Sequence, residues 1–93
     1  MEIESIRHKK LSRFIVKNDA KGIIEPERIR KMVALILIAQ SLDDLSVPPN
    51  FGFHALTGNR LGTYAMTVTR NWRLTFTMAD EHAIADLDLE DYH

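Results

Sequence analysis

The chain has 93 residues, 45% of them hydrophobic and 27% charged, with a formal net charge of −1 and no cysteine. This is the composition of an ordinary soluble globular protein with one core, so residues 1–93 are expected to form a single domain, and a disulfide framework or a thiolate zinc site is excluded. No apolar run is long enough to cross a membrane and the N-terminus lacks the apolar stretch of a signal peptide, which makes a cytoplasmic location the expectation.

Ile3 to Ile6 alternates weakly and predicts a first strand. Arg7 to Lys17 predicts a helix, with Leu11, Phe14 and Ile15 on one stripe and Lys9, Lys10, Arg13 and Lys17 elsewhere. Asn18-Asp19 and Gly22 end it. Pro26 opens a second helix that should run to about Gln40, with Glu25 and Glu27 at its positive end. Ile29, Met32, Val33, Ile36 and Leu37 repeat at helical spacing, while Leu35 and Ile38 widen the stripe enough for a second covering surface. Ser41 to Gly52 reads as a connector, with one helical turn at its start and Pro48-Pro49 preventing any continuation.

Phe53 to Leu56 is a short apolar run, followed by the polar turn Thr57-Gly58-Asn59-Arg60. Tyr64 to Val68 and Trp72 to Met78 then alternate strictly, as half-buried antiparallel strands do. Thr69-Arg70-Asn71 suits a hairpin loop, with Asn71 the residue best able to take positive φ. His82 to Leu89 alternates again, although Ala83 and Ala85 blur the phase. The expected class is α+β. Two helices pack on one face of a small, twisted, mostly antiparallel four-stranded sheet in the order β-α-α-β-β-β. The other face carries Arg73, Thr75, Asp86 and Asp88, so it is exposed or forms a site.

Charge is distributed unevenly. Met1 to Lys31 carries nine Lys/Arg against five acids, and the remainder three against eight. A basic first third suits phosphates or an acidic partner, though a solvated helix face is the commoner origin of such a pattern. No Gly-rich phosphate loop, metalloprotease motif or nucleophile elbow is present, and His8, His54, His82 and His93 lack metal-ligand spacing. The chemistry-bearing set is His54, Arg60, Arg70, Asn71, Arg73, Asp91, Tyr92 and His93. If the tail lies beside the hairpin, two imidazoles, a carboxylate, a phenol and a guanidinium share one concavity. Such a set fits phosphodiester cleavage without a metal: a base for a ribose 2′-hydroxyl, a cation for the phosphorus-bound oxygens, an acid for the leaving 5′-oxygen. Taken singly, His54 beside Phe53 fits a structural histidine, Trp72 fits core, and Asp91-Tyr92-His93 fits a frayed end. From the residues alone, this is an α+β domain with a candidate polyanion site.

His54, Leu56, Gly58, Arg60 and Gly62, then Asn71-Trp72-Arg73-Leu74-Thr75-Phe76, then terminal Asp91-Tyr92-His93 together resemble the HigB-type toxins of bacterial toxin–antitoxin modules, within the RelE/ParE superfamily. The family pattern is H-x-L-x-G-x-R-x-G, a strand, N-W-R-hydrophobic-T/C-F and D-Y-H, and the likeness covers nearly the whole chain. The resemblance implies two helices on a small twisted sheet. It implies a ribosome-dependent endoribonuclease that cuts mRNA in the A site of the 70S ribosome without a cofactor or metal. It assigns catalysis to His54, Arg73, Asp91, Tyr92 and His93, and RNA contact to Lys9, Lys10, Arg13, Lys17, Arg60, Arg70 and Asn71. The implied partner is a HigA-like helix-turn-helix antitoxin, with operator DNA reached only through that antitoxin and no membrane partner. Thr57 and Asn59 stand where the family commonly has Lys and Asp, and Tyr64 where Trp is common, which removes one cation near the phosphate. Two other readings follow from the superfamily: a ParE-like gyrase poison, and a weak or inactive toxin acting as an antitoxin-binding co-repressor.

Overall fold

In the computed structural model, residues 1–47 and 49–92 are described. The elements are β1 (Glu2–Ile3), α1 (Lys9–Lys17), α2 (Pro26–Ile38), β2 (His54–Ala55), β3 (Thr63–Thr67), β4 (Trp72–Asp80) and β5 (Ala83–Asp91), with single 3-10 turns at Leu42–Ser46, Pro49–Phe51 and Gly58–Arg60. The strands form one sheet in the order β1-β5-β4-β3-β2. Leu11, Phe14, Ile29, Met32 and Ile36 of the helices bury against Met66, Leu74, Phe76, Ile84, Leu87 and Leu89 of the sheet. The predicted layering and α+β class are therefore present. No helix among the described residues is long and apolar enough to cross a membrane.

The sheet has five strands where four were expected. The additional one is β2, drawn from the Phe53–Leu56 run, with His54 opposite Ala65 and Ala55 opposite Tyr64. It is short because Gly52, at φ 57, turns the chain in and the Gly58–Arg60 turn takes it out. Phe53, just before it, stacks on Tyr64 at 5.7 Å and on Phe76 at 6.4 Å between ring centroids, which anchors this edge to the core.

β1 pairs parallel with β5 over Glu2 and Ile3, one residue earlier than predicted, and pairing resumes only at an Ile6–Leu87 bridge. Between them Asp86 takes φ 54 and its N–H donates to Ser5 Oγ at 2.8 Å. The pairing of β4 with β5 shifts by one residue across the same stretch. This β-bulge explains the blurred alternation: it lets Ile84 and Leu87, three residues apart, both reach the core.

Further departures from the predicted elements have local causes. α1 starts at Lys9, not Arg7, because the His8 ring Nδ1 accepts the Leu11 N–H at 3.2 Å and caps the helix. Asn18, at φ 56, ends it as expected. α2 stops at Ile38, short of Gln40, and the Met1 ammonium donates to the carbonyls of Ile36, Leu37 and Ala39 at 2.8, 3.0 and 2.6 Å. Asn71 does not adopt positive φ. The loop is instead closed by Thr69 Oγ1, which accepts from the N–H groups of Asn71 and Trp72 at 3.3 and 3.2 Å, so no left-handed residue is needed.

Candidate active site

Strand parity decides which side chains can meet. Arg73 lies opposite Glu90 on β5 and Thr67 on β3, and Thr75 lies opposite Asp88 and Ala65. These positions alternate with the core residues Trp72, Leu74 and Phe76, so they face away from the helices. The rigid sheet thus presents Arg73 on its polar face, as the alternation predicts.

The Arg73 guanidinium bends back over the β3–β4 loop. Its Nη1 donates to the carbonyls of Thr69, Arg70 and Trp72 at 2.7, 3.1 and 3.2 Å. The group also lies over the Tyr92 ring, 4.8 Å from the centroid. Tyr92 is placed there by its own N–H, which donates to the Asn71 carbonyl and ties the tail to the loop. Nε is buried and has no partner among the described residues. A buried donor without an acceptor is uncommon.

A second polar cluster sits beside the first. Arg60 grips Glu90 through two parallel bonds, Nη1 to Oε1 at 2.8 Å and Nη2 to Oε2 at 2.7 Å. Thr75, only 2% exposed, also donates its hydroxyl to Glu90. The Arg60 guanidinium, the Thr75 hydroxyl and the Coulomb field of Arg60 and Arg7 hold the Glu90 carboxyl below its ordinary value of 4.5 against the opposing effect of burial. Glu90 in turn raises the Arg60 pKa. Together with Arg7, Thr63, Thr77, Asp86 and Asp88, these groups line a cleft of about 210 Å³ on the polar face. Arg7 and Asp86 approach to 3.7 Å across its rim, where solvent weakens the pair.

The sign of the Glu90 shift fixes a pH dependence. A depressed folded-state pKa contributes stability that is fully present above the unfolded value of 4.5 and is lost as pH falls through the folded value. Glu90→Gln should therefore lower Tm at pH 7. The gap from wild type should begin to narrow as pH falls below 4.5 and close as it passes through the lower folded-state value. Thermal melts of both proteins across that range check this; a gap constant with pH would mean the ion pair contributes nothing.

The structure brings Arg73, Asn71 and Tyr92 together at one end of the sheet. Arg70, exposed, contributes its carbonyl to the same loop. His54 shares the polar face and sits in the row of Ala65 and Thr75, two strand spacings from β4, roughly 10 Å. Its Nδ1 lies 2.8 Å from the Gly52 carbonyl, which leaves Nε2 as the outward nitrogen. Asp91 pairs with Trp72 and so has the opposite parity from Arg73. His93 lies outside the described residues. Arg60 is committed to Glu90. Lys9, Lys10, Arg13 and Lys17 are exposed on α1, in the helical layer and away from the cleft.

Glu90 is the residue that sequence reasoning overlooked. The signal was available: it continues the parity of Asp88 and lies across from Arg73. Its proximity to the chain's end made it read as part of a tail.

Comparison with known proteins adds to this geometry. Residues 4–93 match the family model described as the RelE-like toxin of the type II toxin–antitoxin system HigB. The chain is 32% identical to an Endoribonuclease HigB of Proteus vulgaris, covering 98% of this chain and 99% of that protein. Its fold is similar to crystal structures of YafQ from E. coli strain BL21(DE3), at TM-score 0.66 and 17% identity, and of a YafQ mutant from E. coli, at 0.65 and 19%. Each alignment covers 97% of this chain and 91% of the YafQ chain.

Proposed function

The chain belongs to the HigB family of RelE-like toxins of type II toxin–antitoxin systems, and from that premise we propose that it is an endoribonuclease cutting mRNA on the ribosome at the Arg73 end of its sheet. The observation that carries the reading is Arg73: a fixed guanidinium, stacked on Tyr92, with a buried N–H that no described residue accepts. A charge held in place before substrate arrives stabilises developing negative charge on a phosphorane without reorganisation. The 2′-hydroxyl attacks the adjacent phosphorus, the 5′-oxygen leaves, and a 2′,3′-cyclic phosphate forms. His54, through Nε2, and His93 share the two proton transfers. Tyr92 and Asp91 position the nucleotide, and Asn71 and Arg70 contact its backbone from the loop.

The α1 cations support docking on ribosomal RNA. Lys9 and Lys10 occupy the first helical turn, which contains no acidic residue, so they oppose the helix dipole. Cations kept where they disfavour the helix suit an external polyanion. Replacing Lys9, Lys10, Arg13 and Lys17 by Gln should weaken binding to ribosomes and flatten its salt dependence by about 0.7–0.9 for each phosphate no longer neutralised. Filter binding at several salt concentrations measures this; an unchanged slope would remove α1 from the interface.

A toxin of this class has an antitoxin partner. A HigA-like helix-turn-helix protein fits the exposed apolar Leu37 and Ile38 at the end of α2, and operator DNA would be reached through it. The proposed activity is tested with purified protein, translating 70S ribosomes and naked mRNA. Cuts in register with the A site are expected only when ribosomes are present. Equal cutting of naked RNA would refute the ribosome requirement.

A further inference from the structure

The groups assigned to catalysis come from separate segments. One is the irregular connector that delivers His54; another is the β3–β4 loop that seats Arg73. Strand pairing puts His54 in the row of Ala65 and Thr75, but the connector and the loop whose carbonyls hold the two side chains lie outside that pairing and need a further tie. We infer that Arg28, on the first turn of α2, is a positioning residue that supplies it, an inference that rests on the endoribonuclease reading of the site.

The geometry is specific. Arg28 Nη2 donates to the Asn50 carbonyl at 2.5 Å and to the Thr67 carbonyl at 2.9 Å, and Nε donates to Thr67 again at 3.3 Å. Its guanidinium lies 5.0 Å from the centroid of the Phe51 ring, which is buried. Asn50 is two residues before Gly52, whose carbonyl contacts His54 Nδ1. Thr67 is two residues before Thr69, whose carbonyl receives Arg73 Nη1. One planar cation therefore bridges the two segments, in each case two residues before the carbonyl that holds the reacting side chain. Glycine at position 52 makes the approach close enough. A Cβ there would lie 2.9 Å from Thr67 Oγ1, and φ 57 already disfavours other residues.

Lysine at position 28 would keep the charge. It would lose the fork that reaches two carbonyls and the plane that stacks on Phe51. The segments would then shift by a fraction of an ångström to an ångström, which matters far more to a reacting geometry than to folding. Arg28→Lys should therefore retain the wild-type circular dichroism spectrum, lower kcat for ribosome-bound mRNA about 10- to 100-fold and leave KM within about threefold. A second readout needs no activity: nitrogen-15 NMR of the His54 ring and the Arg73 guanidinium, whose resonances should both move. If wild type cleaves and the variant matches it in kcat, or loses kcat with both sets of resonances unmoved, the positioning role is overturned. If wild type does not cleave but the resonances move, the coupling stands and the endoribonuclease reading is what fails. Should Arg28→Lys fail to fold, Arg28→Gln, which keeps a planar donor but not the fork that spans both carbonyls, applies the same test, with the same expected resonance shifts and the same refuting result.

Discussion

Arg73→Ala is expected to lower mRNA cleavage by at least about 100-fold, the loss typical when one preorganised donor to a developing oxyanion is removed. The protein should remain folded, because Arg73 is half-buried on the polar face and no core packing depends on it. Arg73→Lys should restore little. An ammonium is a point charge on a flexible stem. It cannot donate to the Thr69, Arg70 and Trp72 carbonyls and present a plane to the Tyr92 ring at once. Single-turnover cleavage of ribosome-bound message, with circular dichroism as the folding control, measures both. Near-wild-type cleavage by the alanine variant would place the reacting phosphate elsewhere.

The largest effect on stability is expected at Phe76. It is 1% exposed and stacks on Phe53 and on Tyr64, the latter at 5.9 Å between centroids. Phe76→Ala removes the middle of the sheet's apolar face and leaves a cavity, at a cost of about 3–5 kcal/mol. For a domain whose total stability is of the order of 5–15 kcal/mol, that is a large share. Tm should fall by about 15 °C or more. The loss extends to the site. Phe53 rests on Phe76 and immediately precedes His54, so β2 should loosen before the rest of the sheet. Hydrogen exchange at Leu56, whose N–H donates to the Thr63 carbonyl, should rise more than exchange within β4. Unchanged protection there, with a large Tm loss, would show that β2 is held by other interactions.

The helices and the three long strands were legible in the sequence because each has a local period. Leu11 and Phe14, or Trp72, Leu74 and Phe76, announce a buried face without reference to anything distant. What eluded that reading is non-local. β1 pairs with β5 across some eighty residues, and a two-residue strand, Glu2 and Ile3, carries no sign of a parallel partner. The bulge at Asp86 depends on Ser5. Arg60 and Glu90 are separated by 30 positions, and neither residue type reveals that the other neutralises it. Arg60 reads in sequence as a cation for RNA; in the fold it is the strap joining the Gly58–Arg60 turn to the strand that ends in Asp91. The proposed catalytic set was suggested chiefly by the family motif. Strand parity supports Arg73 and Tyr92 facing one another, places His54 on the same face and gives Asp91 the opposite parity.

The departure at Thr57 gains meaning beside this arrangement. It precedes the turn that Arg60 ties to Glu90, so in this structure the Arg60 charge is paired with a carboxylate of the chain itself. Arg73 and Arg70 are the remaining arginines of the second half of the chain, so under the proposed reading the phosphate would be met from the β3–β4 loop.

The most direct measurement is the chemistry of the cut ends. Message bound to 70S ribosomes is treated with the wild-type protein and with Arg73→Ala, and the fragments are analysed by primer extension and mass spectrometry. Attack by the 2′-hydroxyl at the Arg73 site predicts A-site cuts ending in 2′,3′-cyclic phosphate or its 3′-phosphate hydrolysis product, absent with Arg73→Ala. Fragments ending in 3′-hydroxyl, or cuts that persist in that variant, would contradict it.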